Sequence, residues 1–433
     1  MVNSQKQIND AISIITEFEF VAKELYKKNK ATYDANKSLA KSFADFFAMI
    51  SSTKKKLLNP TFSIAMVGTT GAGKSTIVNA LSSRSIAPME QKEMSAGVLR
   101  LFHSEKYYME IVRTEYCRWK TGKFPCKDDD TTRETIRKIY EKYRKFIEIF
   151  ASPEINVHCQ LRWQTNKDIL GLPDGVDVEL LDLPSVKTLT DEKNIRVIQE
   201  KLAKSMCVIA IDFIGVDDTI IQRMLDELKD VVAMSNKKDP LLFIVNKVDF
   251  ATQTDIPVNT AILGGDHNGT QIKGLKEKIV EGLNLSQDTD IRLIPLNGLL
   301  LYWIEQSVIR NVEDTIIDYK KESLKKLFVD CANEFKKDEN KALLTHEEIK
   351  LCRKIDYAIE DEEDITIEDI NKFVEICYKL SHAEELYVEL NQRIQNSFYQ
   401  VVIRPVLSDF LAMTDKMIAE LHIHNEINKK LKT

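Results

Sequence analysis

From Ile8 the apolar positions Ile12, Ile15, Ala22 and Leu25 recur at steps of three and four or their sums. After a polar break Leu39, Phe43, Phe46, Phe47 and Ile50 do the same, so residues 1–58 are expected to form two helices. Asn59-Pro60 supplies a turn signal, and the pattern then changes. Short strand-like runs at 62–67, 98–102, 107–113, 176–183, 206–213, 241–246 and 290–296 alternate with helical stretches. Four of the runs (FSIAMV, VELLDL, MCVIAI and LLFIV) are apolar on both parities, as central strands covered on both faces must be. The runs 98–102 and 107–113 carry more polar residues and are expected at an edge. After Gly298 no further alternation of this kind occurs. One apolar stripe there joins Phe373, Ile376, Cys377 and Leu380; a second, after Pro405, joins Leu407, Phe410, Leu411, Met417, Ile418 and Leu421. The fold class expected is α/β, a mostly parallel central sheet flanked by N- and C-terminal helices that form a helical bundle. The boundaries fall at 1–58, 59–310 and 311–433.

Composition narrows the function classes. The 433 residues carry 61 Lys and Arg against 67 Asp and Glu, a formal net charge of −6, so no global basic field exists to hold nucleic acid. With 43% hydrophobic residues and only 14 Gly and 10 Pro, the chain suits a helix-rich globular protein. The start MVNSQKQIND has neither a basic nor an apolar leader pattern, and runs such as Met206 to Ile211 are too short to span a bilayer, so a cytoplasmic protein is expected, in contact with membrane at most peripherally. Seven Cys stand singly, without a CxxC pair, and are read as reduced thiols; the seven His are equally dispersed. The acidic run Glu360 to Asp364 lacks EF-hand spacing and reads as an inter-helix loop. Lys54-Lys55-Lys56 reads as a solvated helix end, with contact to an anionic surface as the alternative.

The candidate chemistry is concentrated in three places. Gly68-Thr69-Thr70-Gly71-Ala72-Gly73-Lys74-Ser75 follows the first strand and opens a helical pattern at Thr76, which is G-x-x-x-x-G-K-S in its required context. Glycines there let successive backbone N–H groups face a phosphate, Lys74 reaches the terminal phosphates, and the Ser75 hydroxyl suits Mg²⁺. Asp182, ending Val178 to Leu183, is placed to complete the Mg²⁺ site. Asn246-Lys247-Val248-Asp249 ends the run 241–245; the Asp249 carboxylate can accept from N1–H and N2–H₂ of guanine, a donor pair that adenine lacks. Asn246 can bond to the base and brace the loop, the Lys247 stem can lie along the base, and Asn297-Gly298 can bring backbone N–H groups near it.

The ordered set GTTGAGKS, DLPS, NKVD and PLNG resembles the translation-factor-related class of P-loop GTPases and, within it, the dynamin superfamily of large GTPases, particularly the bacterial dynamin-like proteins and the immunity-related GTPases. The interval from Lys74 to Asp182 far exceeds the roughly 30 residues of a βαβ unit, and the stretch from Ala80 to Pro88 and on to Glu93-Met-Ser-Ala-Gly-Val resembles a dynamin-type first switch. The resemblance implies GTP and Mg²⁺ as ligands, with Lys74, Ser95 and Thr70 in catalysis and Ser95 at the place of the Thr that binds Mg²⁺ and positions water. It implies Asp182 and Ser185 as the γ-phosphate switch. It also implies a nucleotide-dependent homodimer or oligomer, acting at a membrane surface or on a protein partner. Departures exist: the usual DxxG ends in Ser185, and Thr70-Gly71 stand where dynamins proper carry Gln and Ser. No Gln or Arg stands out for water positioning, so a dimer or an activator would supply it. The function expected is hydrolysis of GTP to GDP and phosphate, coupled to movement of the helices. The alternative is a slow or non-hydrolysing switch that docks a protein, as in an immunity or anti-phage role. The lack of a basic stripe argues against a ribosome-associated GTPase, and NKVD against a kinase or ATPase.

Overall fold

The computed structural model describes residues 4–68, 71–89, 96–114, 117–146, 151–165, 169–173, 175–184, 201–213, 241–249, 265–267, 270–272, 274–285, 291–311, 313–335, 344–361 and 363–430, with residues 199, 222, 225, 226 and 229 as single positions. The elements begin with α1 (Ser4–Lys28), α2 (Lys30–Ala35), α3 (Lys37–Leu58), β1 (Thr61–Gly68), α4 (Lys74–Ser82), β2 (Val98–His103), β3 (Tyr108–Ile111), β4 (Gly122–Pro125) and α5 (Asp129–Arg144). They continue with β5 (Glu154–Cys159), α6 (Arg162–Thr165), β6 (Asp177–Asp182), β7 (Met206–Asp212), β8 (Leu241–Asn246), β9 (Gly265–His267), β10 (Thr270–Ile272), α7 (Leu275–Gly282), β11 (Leu293–Leu296) and α8 (Gly298–Ser307). The last are β12 (Val308–Arg310), β13 (Ile316–Tyr319), α9 (Lys321–Phe335), α10 (His346–Glu360), α11 (Ile367–Ser381), α12 (Ala383–Phe398), a π-helical segment (Tyr399–Ile403) and α13 (Arg404–Lys430). They group into two compact units: residues 1–62, 173–177 and 395–433 form one, and 63–172 with 178–394 the other.

Among the described residues, the larger unit is built on a nine-stranded sheet in the order β11-β8-β7-β1-β6-β2-β5-β3-β4. From β11 to β1 the pairings are parallel. This half is the more deeply buried one: all six residues of β8 are buried, and Ala65, Val67, Ile209, Phe243 and Val245 share a core with Leu275 and Ile279 of α7. Parallel register carries Gly68 opposite Ala210, Asp212 opposite Asn246, and Asn246 opposite Leu296. The carboxyl ends of β1, β7, β8 and β11 therefore lie along one edge, where ligands of open α/β sheets bind.

The other half of the sheet differs from the edge expected at 98–102 and 107–113. β2 is an interior strand, antiparallel to β6 and parallel to β5, and β3 pairs with β5 on one side and β4 on the other. The outermost strand is β4, mostly exposed and ending at Pro125, a position where a missing N–H costs no ladder bond. In β2 the buried Leu99 and Leu101 alternate with the half-buried Arg100 and Phe102, and Arg100 pairs with the buried Glu179 of β6, so the polar content of this strand is met by an ion pair inside the sheet.

Beyond β11 the described residues are helical apart from the β12–β13 hairpin and short connections, and no alternation in the sequence signals that hairpin. The stripe Phe373, Ile376, Cys377 and Leu380 of α11 is buried as expected. The acidic run ends α10 and enters the loop before α11. All seven Cys are free thiols, five of them buried.

In the smaller unit, α1, α3 and α13 pack through Ile8, Ala11, Ile15, Leu39, Phe43, Phe46, Ile50, Phe410 and Met417. Asn36 ends the break between the two predicted N-terminal helices and caps α3, accepting from the N–H groups of Ser38 and Leu39. Pro405 stands one residue inside α13, directly after the π-helical segment, whose wider turn makes room for a ring that lacks an N–H. Lys54 pairs with Glu19, while Lys55 and Lys56 finish α3. No helix among the described residues is long and apolar enough to cross a membrane.

Candidate functional site

The phosphate loop leaves β1 at Gly68, whose φ is +151° and whose Cα lies so close to the next strand that a Cβ would meet the Ala210 carbonyl oxygen at 2.2 Å. It re-enters helix at Gly73, the N-cap of α4, with a left-handed φ of +81°. A Cβ at Gly73 would meet Nδ2 of Asn246 at 2.3 Å. Glycine is required at both places, because the loop presses against the strands that hold the other motifs. The ammonium of Lys74 is buried and donates to the Gly68 carbonyl at 3.1 Å, folding the side chain back over the loop it leaves. Thr76 continues α4, and Gly71 and Ala72 complete the described part of the loop.

Ser75, in the first turn of α4, donates from Oγ to Oδ2 of Asp182 at 2.7 Å. Asp182 ends β6 and is almost fully buried. Two residues more than a hundred positions apart thus meet as a hydroxyl and a carboxylate at the mouth of the loop, a pair of hard oxygen donors of the kind Mg²⁺ takes alongside phosphate and water.

Asn246 closes the structure around the loop. Its Nδ2 donates to the Ala72 carbonyl at 2.8 Å, its Oδ1 accepts from the Gly298 N–H at 3.0 Å, and its own carbonyl accepts from the Phe213 N–H at 2.9 Å. Buried and saturated in this way, it ties loop, β7 and α8 together at one point. Lys247 adopts a left-handed φ of +65° and places its ammonium 2.6 Å from Oδ2 of Asp212. Asp249 lies in the short turn that follows β8. Asn297 caps α8, its Oδ1 accepting from the Leu300 N–H, while its own N–H donates to the Ser381 carbonyl. Thr69, Thr70, Ser95 and Ser185 lie outside the described residues.

Sequence reasoning missed Asp212, the partner of Lys247. The signal was available, because Asp212 ends the run MCVIAI as Asp182 ends VELLDL, at the same edge of the same sheet. It also missed a buried ionic cluster around Glu305 of α8, which gathers Ser83, Arg162, Tyr378 and Arg310. Burial would raise the Glu305 carboxyl, but Arg162 and Arg310 with hydrogen bonds from Tyr378 and Ser83 outweigh it and hold the group below the usual range.

Residues 64–248 match the model of the dynamin family. No curated protein matches the chain. Among solved structures, an oligomerised bacterial dynamin pair, described as a mechanism for long-range sensing and tethering of membranes, is 14% identical, covers 100% of this chain and 75% of that one, and superposes with a TM-score of 0.37. A dimerisation-deficient mutant of Toc33 from Arabidopsis thaliana is 10% identical, covers 64% of this chain and 83% of that one, with a TM-score of 0.30.

Proposed function

We propose that this chain, whose residues 64–248 match the model of the dynamin family, hydrolyses GTP to GDP and phosphate with Mg²⁺ and couples the nucleotide state to movement of its helices and to self-association. The observation that carries the reading is the convergence of Lys74, the Ser75–Asp182 pair and the Asn246 brace on one loop. Lys74 would release the Gly68 carbonyl to neutralise the terminal phosphates, and the N–H groups of the loop and of the first turn of α4 would hold the β-phosphate. Asp249 would select guanine by accepting from its N1–H and N2–H₂ edge.

Ser75 and Asp182 fit Mg²⁺ chemically, and by the family resemblance Ser95 would join them. When bound, the ion supplies charge neutralisation at the phosphate oxygens. Thr70 and Ser95 would orient the attacking water, and Ser185 would present its N–H to the γ-phosphate. Asn297 and Gly298 would complete the base pocket through the backbone. The division into an N-terminal helical segment (1–58), a GTPase domain (59–310) and a helical C-terminal domain (311–433) belongs to the same reading, as does a cytoplasmic location with peripheral membrane association.

One observation favours a second reading. With Ser185 in place of the usual Gly, the switch loses φ freedom where it must turn to meet the γ-phosphate, which suits a slow switch that docks a protein. GTP turnover per molecule against protein concentration separates the two, with ATP and Lys74→Ala as controls. Specific activity that rises with concentration and vanishes in the variant supports the self-associating hydrolase. Flat, near-zero turnover with intact GTP binding supports the slow switch, and equal turnover of ATP would overturn both.

A further inference from the structure

The second apolar stripe of the C-terminal region is only partly buried: Phe410 and Met417 are covered, while Leu411 and Ile418 are exposed. In the smaller unit α1 packs on α3 through Tyr26 against Phe43 and Phe47 and through the Glu19–Lys54 pair. The helix α13 packs on α3 through Phe46 with Phe410 and through Asn36 with His424. The two outer helices touch each other where Phe18 meets Phe410 edge to face, with ring centroids 5.6 Å apart. On the side of α1 that carries Phe18, Ile14, Val21 and Leu25 continue the stripe at steps of four and three and are 51%, 63% and 39% exposed. On α13, Leu411 and Ile418, seven apart and next to Phe410, are 54% and 57% exposed. Two heptad-spaced apolar stripes therefore converge on one contact and leave a groove between α1 and α13, facing away from α3.

The charges beside this groove decide what fits it. The outer rim on α1 is Asp10, Glu17 and Glu24, again seven apart, between Lys6 and Lys28 at the ends. On α13 the exposed Asp415 lies between Leu411 and Ile418 on the outer side. An anionic lipid surface would meet these carboxylates first. A second copy docking the same face would bring acidic rim against acidic rim. A helix with an apolar stripe flanked by Lys or Arg meets both requirements, burying the six apolar side chains and pairing with the rims.

We propose that the α1–α13 groove docks a basic amphipathic helix of a protein partner. The test uses the full-length chain and two synthetic helical peptides with the same leucine stripe, one flanked by Lys and one by Glu. The Lys-flanked peptide is expected to bind and to slow amide hydrogen exchange in α1 and α13. Its affinity should fall roughly tenfold or more in the double variant Glu17→Lys with Glu24→Lys, and likewise in Val21→Ser with Ile418→Ser. All four positions are at least partly exposed and outside the core, so the variants should fold, and unchanged GTP turnover keeps this test separate from the nucleotide site. Equal binding of the Glu-flanked peptide would overturn the proposal. So would protection of α1 and α13 by phosphatidylserine vesicles without peptide binding, or a dimer that the Val21→Ser/Ile418→Ser variant dissolves.

Discussion

The Ser83 hydroxyl donates to Oε2 of Glu305 at 2.7 Å, linking the C-cap of the helix that begins in the phosphate loop to the helix that begins at Gly298. Glu305 is 4% exposed and also takes Arg162, Arg310 and Tyr378, the last from α11. One buried carboxylate thus joins four helices, α4, α6, α8 and α11, and strand β12, and any shift of α4 along its axis must be met by rearrangement or loss of the Ser83 bond. The cluster borders a cleft of about 650 Å³ that also admits Arg84, Tyr107 and Asp129. A buried network of charged and hydrogen-bonded groups such as this one specifies the packing of the elements that it joins.

Replacing Glu305 by Gln keeps an acceptor for Ser83 and Tyr378 but leaves Arg162 and Arg310 with less compensation. Breaking a buried pair in this way costs on the order of 3–5 kcal/mol. The expected outcome is a large loss of stability in urea unfolding, and a double-mutant cycle with Arg162→Met should show strong coupling. A Glu305 carboxyl held low contributes stability above its unfolded pKa that is lost as pH falls through the folded one, so the difference between wild type and Glu305→Gln should shrink on acidification.

Gly68 and Gly73 should respond differently to alanine. At Gly68 the new methyl meets backbone, the Ala210 carbonyl oxygen, which cannot move without parting β1 from β7; at Gly73 it meets the far end of the Asn246 side chain. Both also place Ala in the positive-φ region. Gly68→Ala is expected to cost several kcal/mol and yield little folded protein, with the larger unit failing first. Gly73→Ala is expected to fold, losing about 1–3 kcal/mol and most nucleotide binding, because Asn246 must release the Ala72 carbonyl or the Gly298 N–H. Thermal unfolding and fluorescent-nucleotide titration of the two variants check this.

Contiguous features were the legible ones. Strands β7 and β8 announce themselves because consecutive apolar residues can only be covered on both faces, and the phosphate loop because its glycines, Lys and Ser are adjacent in the chain. Strand β5 alternates Ile155, Val157 and Cys159 with Glu, Asn and His, a period-two signal too short to stand out beside the helical stretch before it. Strand β4, with Gly122 and Pro125 at its ends, reads as a turn. The Glu305 cluster was invisible because Arg162 lies 143 residues away in the chain and Tyr378 lies 73 away, and only packing brings them together. Leu411 and Ile418 share a helical stripe with Phe410 and Met417, but α3 covers only part of its width.

Asp249→Asn tests base selection directly. The amide offers one donor and one acceptor in place of two acceptors, so it loses a charge-assisted hydrogen bond to guanine and gains a match to xanthine, which presents N1–H beside a carbonyl. The loss of one such bond with the repulsion that replaces it corresponds to roughly 10²-fold weaker GTP binding. XTP should bind the variant at least as well as GTP binds it, with the fold unchanged by circular dichroism. Retained GTP preference would place guanine recognition elsewhere.

His158 of β5 supplies a pH-dependent element outside the nucleotide motifs. Its ring lies between two others, 4.2 Å from Tyr108 and 4.9 Å from Phe102 by centroid, and nearly parallel to both. Burial lowers its pKa below the ordinary 6.5; Glu110 opposes this, while Lys123 and Arg100 reinforce it. The folded state therefore binds the proton less readily than the unfolded chain, so stability rises with pH through the interval below 6.5 and is lost on acidification. An imidazole titration by NMR should show a midpoint under 6.5 for this residue. His158→Phe keeps the stack and removes the charge, so its thermal unfolding should depend less on pH than that of the wild type between neutrality and mild acid. Equal pH dependence in the two proteins would show that the His158 ring titrates alike folded and unfolded.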